Sequence, residues 1–537
     1  MSSGNATLAG TVINTATELG VRHFVICAGA RNVPLIADLT TRDGLQLWNH
    51  FDERAAAFFA LGLSKSKAEP VAIVTTSGTA VAELLPATIE AWYSGIPLVL
   101  ISADRPMRFR GSGAPQAIEQ TGIFNGYVSQ SLDLKFDNIH SQILTGDQKS
   151  PIHLNVCFEE PVPEPPEITA TSLKITHPEE SESPGNVFPI ENPIAIIGEL
   201  PVEQRALVRE FLITTQIPAW FEATSGLRED PALAEKRFES ESEIPHFTPT
   251  EVIRIGGVPS LRLWRDLEES KNIRVINFTP SGFSGLARKD SVTTHRFSEL
   301  PDFTNEPSTN VEQVFNLFAK PMSPGPAPHD PKLYRVQSQT VQGTISEKLN
   351  HHPSSEPHLI RKLSEIIPSS AAVFLGNSLP IREWNLAATH ETPHPNCFAN
   401  RGANGIDGEV STFLGISANF DESWGIFGDL TALYDLNAPW ILDQLPSGKR
   451  RIVVLNNGGG RIFSRLPAMK NLSSEAMRQT ENHHQTRFSA WAALWNVEYL
   501  SWDSDFTRWS RPETDHAIIE IQIDQSASET FWSDLQS

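Results

Sequence analysis

The amino-acid sequence predicts an α/β protein of three domains, each a mainly parallel sheet flanked by helices. Three observations predict it. The 537 residues exceed what one hydrophobic core sustains. Short apolar runs alternate with longer amphipathic segments, the pattern of parallel strands covered by helices. Two stretches interrupt that pattern, Glu159 to Pro193 and Pro321 to about Pro357, the second with room for a helix between its ends. The first is rich in Pro, Glu and Ser, and prolines cluster at both ends of the second. Proline removes a backbone donor, and little apolar surface is left to bury, so they read as linkers. The expected domains are therefore 1–165, 190–325 and 355–537.

In the first block VRHFVIC, PVAIVTTSG and IPLVLISAD read as strands, in the second NPIAIIGEL and NIRVINF, and in the third AAVFLGNS, WGIFGD, RRIVVLNN and AIIEIQID. Open parallel sheets bind ligands beyond the carboxyl ends of their strands. Polar residues just after these strands are the first candidates for a site.

Composition narrows the class. A formal net charge of −21 argues against nucleic acid or an anionic membrane surface as partner, since both reward a basic face. No apolar stretch approaches a membrane span, and the N-terminus lacks the basic start and apolar block of a secretory signal. Three widely spaced cysteines make a disulfide framework unexpected and fit a cytoplasmic protein.

The most informative segment is Trp424 to Phe463. A strand ends at Gly428-Asp429, apolar residues from Leu430 to Leu445 follow at helical spacing, and a second strand ends at Asn456-Asn457 before three glycines. One βαβ unit brings Asp429 and Asn457 out at the same sheet edge. A carboxylate, an amide oxygen and the Gly459 carbonyl there suit magnesium, which prefers oxygen ligands and completes its shell with phosphate and water. An Asp helix cap followed by an Asn-Gly turn accounts for the same residues on this segment alone. Likewise Glu53, which follows LQLWNHF and opens a helix, is satisfied by the helix dipole.

The Gly-Asp…Asn-Asn spacing resembles the thiamine-diphosphate signature, with Leu430 where a third glycine is usual. Thiamine catalysis needs a carboxyl group at the aminopyrimidine ring, and the resemblance assigns that part to Glu53. The segments CAGARNVPL, HFDERAAAFFALGLSK, TTSGTAVAELLPATIEA, SADRP, GAPQAI, GNSLPIREW, NRGANGIDGEVST, GDLTALYDLNA and NNGGGRIFSRLP occur in this order. Together they closely resemble the 2-succinyl-5-enolpyruvyl-6-hydroxy-3-cyclohexene-1-carboxylate synthase family of menaquinone biosynthesis, which also carries leucine at the position of Leu430. The middle block matches only through VIRIGGVPSLRLW.

The resemblance implies a homodimer or dimer of dimers with shared active sites. It also implies thiamine diphosphate with Mg2+ or Mn2+, and 2-oxoglutarate and isochorismate as substrates. It places Gly428, Asp429, Leu430, Thr431, Asn457 and Ile406 at the cofactor, and Asp429, Asn457 and Gly459 on the metal. Both substrates are dicarboxylates, for which arginine is the natural bidentate partner. The resemblance puts Arg31, Arg105, Arg262, Arg382 and Arg401 on their carboxylates, with Gln116 and Ser378 as neutral donors and Ile462, Phe463 and Leu466 as apolar walls. The alternative for any single arginine is a surface ion pair, worth little, and it weighs most for Arg262, whose register in the resemblance is the least fixed.

Ala30 and Asn32 replace two serines usual beside Arg31, which puts the binding of the second substrate in question. The polar segment after RIFSRLP reads as a mobile cover over the site, and its His483-His484 pair as solvated. Another thiamine-dependent 2-oxo acid carboligase or decarboxylase would not need so many arginines. A non-catalytic metabolite sensor would not need Glu53, Asp429 and Asn457 together.

Overall fold

The computed structural model describes residues 2–145, 149–159, 171–176, 192–300, 331–466, 469, 471–504, 506 and 508–536. Most of the first expected linker, and the start of the second at 321–330, lie outside them. The helix for which the second linker left room is Pro331–His351.

Nineteen strands are described. The first eight are β1 His23–Ile26, β2 Gln46–Asn49, β3 Val71–Thr75, β4 Leu98–Asp104, β5 Gln130–Leu134, β6 Ile143–Thr145, β7 Ile152–Cys157 and β8 Lys174–Thr176. The next five are β9 Pro193–Ile197, β10 Ala219–Phe221, β11 Glu251–Ile255, β12 Arg274–Thr279 and β13 Val292–Arg296. The last six are β14 Ala372–Leu375, β15 Cys397–Phe398, β16 Glu422–Gly428, β17 Lys449–Asn456, β18 Glu498–Trp502 and β19 His516–Gln522. They form sheets of order β2-β1-β3-β4-β7-β5, β10-β9-β11-β12-β13 and β15-β14-β16-β17-β19-β18, with β6-β8 as a small pair. Every pairing is parallel, as the crossover pattern predicted. Both six-stranded sheets read second, first, third, fourth, sixth, fifth when their strands are counted in chain order.

Contacts gather the chain into two compact units. The first comprises Met1–Ser181, Gly402–Asp421 and Thr431–Gly448; the second comprises Glu182–Arg401, Glu422–Leu430 and Lys449–Ser537. In the first unit β3 and β4 are buried along their whole length, as central strands covered on both faces must be. Helix Glu53–Lys67 starts where the Asp52 carboxylate accepts the Ala55 N–H at 3.0 Å. Midway it meets helix Glu409–Ser417 so closely that a methyl group at Gly62 would overlap the Thr412 carbonyl, and one at Gly415 the Phe59 carbonyl. Only glycine permits that approach. In the second unit Trp384, Val373, Ile426, Val453 and Ile519 centre the core under the last sheet, and separate apolar clusters cover both faces of the five-stranded one. Among the described residues no helix is long and apolar enough to cross a membrane.

The single helix expected from Leu430 to Leu445 is two pieces. Helix Asp429–Tyr434 ends, and a 3-10 helix Ala438–Gln444 resumes after the Asp435-Leu436-Asn437 turn. Asn437 spends its amide on the Asp52 carboxylate at 3.0 Å, and Asp435 accepts from the backbone and hydroxyl of Ser411. These local bonds compete with helix continuation.

Candidate active site

In the second unit β16 and β17 lie side by side with Gly428 opposite Leu455, so Asp429 and Asn457 leave the same sheet edge. The Asp429 Oδ2 accepts from the N–H groups of Gly458 at 2.7 Å and Gly459 at 3.0 Å, and Oδ1 from Leu430 N–H at 2.6 Å. Burial pushes the Asp429 carboxyl above its ordinary range, while the nearby His484 and the three backbone donors pull it back. Asn457 is buried. Its Oδ1 has no hydrogen-bond partner among the described residues, a position that costs on the order of 1–3 kcal/mol unless another group meets it. The Gly459 carbonyl accepts from Arg461 N–H at 2.9 Å and keeps a second lone pair. Gly459 sits at φ 142°, and a side chain there would overlap the Glu481 carbonyl. A Cβ at Gly428 would meet nothing within 4 Å, so space is open beside the strand end. These donors fit a hard divalent cation: a carboxylate, an orphaned amide oxygen and a main-chain carbonyl at one corner.

Several residues that build this corner were not evident from sequence. Glu356, fully buried, accepts from Asn457 Nδ2 at 3.3 Å. It lies in a stretch that reads as linker, yet Ser355 caps the helix Glu356–Ile366 and Pro357 follows, a helix-start signal that reveals it. Burial and the neighbouring Glu383 push its carboxyl well up, against Arg465 and the Asn457 amide. Glu383 in turn accepts from Arg465 Nη1 at 2.9 Å.

Glu481 and His484, in the segment after RIFSRLP, pack onto the glycine loop. Glu481 accepts Gly460 N–H through its carbonyl at 2.6 Å and binds Arg461 Nη1 through its carboxylate at 2.8 Å. His484, expected to be solvated, is instead only 14% exposed, with Nε2 at 3.3 Å from Asp429 Oδ2. Its N–H donates to the Gly458 carbonyl at 3.2 Å, and this backbone bond draws the ring in. His483 meets the Glu481 carboxylate.

The same unit holds Ser378, Arg382 and Arg401 after β14 and β15. Ser378 adopts φ 70° in a left-handed conformation that is strained for a serine. Arg401 is buried and donates to Asn377 Oδ1 at 2.7 Å, and Asn377 Nδ2 donates to the Asn400 carbonyl at 2.8 Å, which stitches the two loops together. Arg382 is open to solvent. Desolvation of its head and then the like charge of Arg401 hold it below the ordinary arginine value. Two like charges that raise one another's cost favour an anion nearby. Ile462 and Phe463 are half-buried and Leu466 is 39% exposed. Arg262 opens the short helix Arg262–Asp266, is mostly exposed, and pairs with Asp266 at 3.5 Å.

In the first unit Glu53 is half-buried at the start of its helix. Burial first, and the charges of Asp52 and Glu83, push its carboxyl up, and its own backbone N–H opposes them. Arg31 is buried, with Nη1 donating to the Glu159 carbonyl at 3.1 Å. Arg105 donates through Nε to the Pro115 carbonyl at 2.7 Å. Gln116, like Ser378, sits at positive φ, 55°, against Gly78. Ile406 is half-buried and Thr431 buried. Asn32 spends its whole amide on the loop, accepting Gly29 N–H and donating to the Cys27 carbonyl, each at 2.9 Å. It holds Arg31's loop.

Residues 6–123 match the thiamine pyrophosphate enzyme, N-terminal TPP binding domain family. Along nearly its whole length the chain is similar to proteins named 2-succinyl-5-enolpyruvyl-6-hydroxy-3-cyclohexene-1-carboxylate synthase. With the Bdellovibrio bacteriovorus protein it shares 38% identity over 99% of this chain and 98% of that one. With the Akkermansia muciniphila protein it shares 37% over 95% of each. With that of Geobacillus kaustophilus it shares 30% over 88% and 86%.

Proposed function

The chain belongs to the 2-succinyl-5-enolpyruvyl-6-hydroxy-3-cyclohexene-1-carboxylate synthase family, and from that premise we propose how it works. It is a thiamine-diphosphate-dependent transferase of menaquinone biosynthesis. It releases carbon dioxide from 2-oxoglutarate and adds the remaining succinyl unit to isochorismate. The similarity covers the whole chain rather than the cofactor-binding residues alone, and that observation carries the reading.

Asp429 and Asn457 hold Mg2+ or Mn2+, with the Gly459 carbonyl as third protein ligand; the unpartnered Asn457 Oδ1 supports this. Gly428, Leu430, Thr431 and Ile406 lie against the cofactor. Bound thiamine diphosphate supplies the electron sink for loss of the carboxyl group. Glu53 would exchange a proton between its carboxyl oxygen and an aminopyrimidine ring nitrogen, a role that its upward shift on burial favours. Arg31, Arg105, Arg262, Arg382 and Arg401 bind substrate carboxylates, assisted by Gln116 and Ser378. They supply locally the positive charge that an acidic protein lacks globally. Ile462, Phe463 and Leu466 exclude water from the reacting carbon.

The active protein is a homodimer or dimer of dimers that completes each site with two chains, and it works in the cytoplasm. An exposed aromatic cluster supports the assembly. Phe51 packs edge-on to Trp440 at 5.1 Å, and Tyr434 carries Arg54 over its ring at 4.9 Å, with these three rings 44–53% exposed beside Glu53. Mass analysis of the product from 2-oxoglutarate plus isochorismate, with thiamine diphosphate and Mg2+, tests the reaction. A product lacking the isochorismate carbons would leave a simple decarboxylase.

A further inference from the structure

We propose that Glu356 is a positioning residue that turns the Asn457 amide so that its oxygen, and not its NH2, faces the cation. The inference rests on the assignment of Asn457 as a metal ligand. An asparagine side chain is nearly symmetric in shape, and a half-turn about its last bond exchanges oxygen for NH2. A hard cation accepts only the oxygen. The backbone leaves this choice open, because it fixes only where the amide starts. Asn457's own carbonyl is tied down by Gln525 Nε2 and by Arg461 Nε at 3.3 Å.

Glu356 makes the choice. Its Oε2 accepts from Asn457 Nδ2 at 3.3 Å, leaving Oδ1 buried and unpartnered among the described residues. A carboxyl keeps an acceptor oxygen in either protonation state, so the bond survives both. Glu356 itself cannot wander. Its N–H donates to Ser528 Oγ at 2.9 Å, and the Ser355 cap fixes the first turn of its helix. The next carboxyl, Glu383, is held through its Oε1 by Arg465 at 2.9 Å. Partners of this kind, one bond beyond the metal, orient its ligands.

The test is Mn2+ affinity, read from the electron paramagnetic resonance signal of free Mn2+ in the presence of thiamine diphosphate and without substrates. Glu356→Leu should weaken Mn2+ binding about ten- to a hundredfold. Glu356→Gln keeps an acceptor but can itself face either way, so it should lose only about twofold. In an Asn457→Asp background the two ligand oxygens are equivalent, and Glu356→Leu should cost nothing. Glu356→Ala takes its place if the leucine variant does not fold. Wild-type Mn2+ affinity in both Glu356→Leu and Glu356→Ala, or an equal loss with and without the Asn457→Asp change, would overturn the proposal. Undiminished Mn2+ binding by Asn457→Ala would instead remove the ligand assignment on which it stands.

Discussion

The first and last sheets share one strand order and differ in what stands at the ends of their strands. After the first strand each carries an arginine, Arg31 in one and Arg382 in the other. After the second strand the first sheet presents Glu53 and the last presents Arg401. The sharpest contrast follows the fourth strand. In the first sheet Asp104 meets a guanidinium, Arg110 Nη2 at 2.9 Å, which also binds Asp133 at 2.7 Å and Cys157 Sγ at 3.2 Å. These three groups lie close enough to hold a metal, but a side chain of the protein already supplies the positive charge. In the last sheet no such cation among the described residues meets the Asn457 amide oxygen, which is left over. Topology places the loops, and a few side chains decide at which sheet end an oxygen is left without a partner among the described residues.

The division of labour can be broken most severely at its two acids. Glu53→Gln should lower turnover about a hundred- to ten-thousandfold while leaving cofactor affinity close to wild type. Asp429→Ala should abolish magnesium-dependent cofactor binding. Calorimetry with and without Mg2+, beside turnover, checks both, and loss of binding in Glu53→Gln would erase the contrast. Next in size, Arg382→Ala should cut kcat/KM roughly ten- to a hundredfold, the worth of one charge-assisted hydrogen bond. Mn2+ affinity should not move. Mixing Glu53→Gln with Asp429→Ala subunits sharpens the comparison further. If each site takes one sheet from each chain, recovered activity should approach about a quarter of wild type, by the counting of a symmetric dimer. No recovery despite demonstrated subunit exchange would mean each chain builds its own site.

The smallest effect belongs to the first sheet alone. His153 is buried between Ser102 at 2.7 Å and Ser131 at 2.9 Å, and burial pushes its pKa down to about 3. A histidine depressed on folding stabilises the protein fully above its unfolded value, about 6.5. That stability drains as pH falls from there toward 3. The urea midpoint should decline over this window, and less steeply in His153→Asn; parallel profiles would show that His153 carries no share.

Much of this was legible as pattern. The central strands are apolar runs because both their faces are covered, and Asp429 and Asn457 could be paired because one βαβ crossover has only one edge for both. What stayed hidden depends on contacts distant in sequence. His484 reads as polar and unpatterned, and only the docking of its segment on Gly458 and Gly460 brings it to Asp429. Glu356 sits among prolines and serines whose composition outweighs the cap they form. The break after Tyr434 is invisible to helical spacing because the apolar residues keep their period across the Asn437 turn.

The glycine contact between helices Glu53–Lys67 and Glu409–Ser417 makes the first of them a lever clamped near its middle. Gly62 is nine residues from Glu53, about 13 Å along the axis. A methyl group at Gly415 would force the pivot apart and swing the tip, and a carboxylate misplaced by about 1 Å can cost a hundredfold in rate. An enzyme that had lost its speed, with every group that touches substrate unchanged, would be the mark of that hinge.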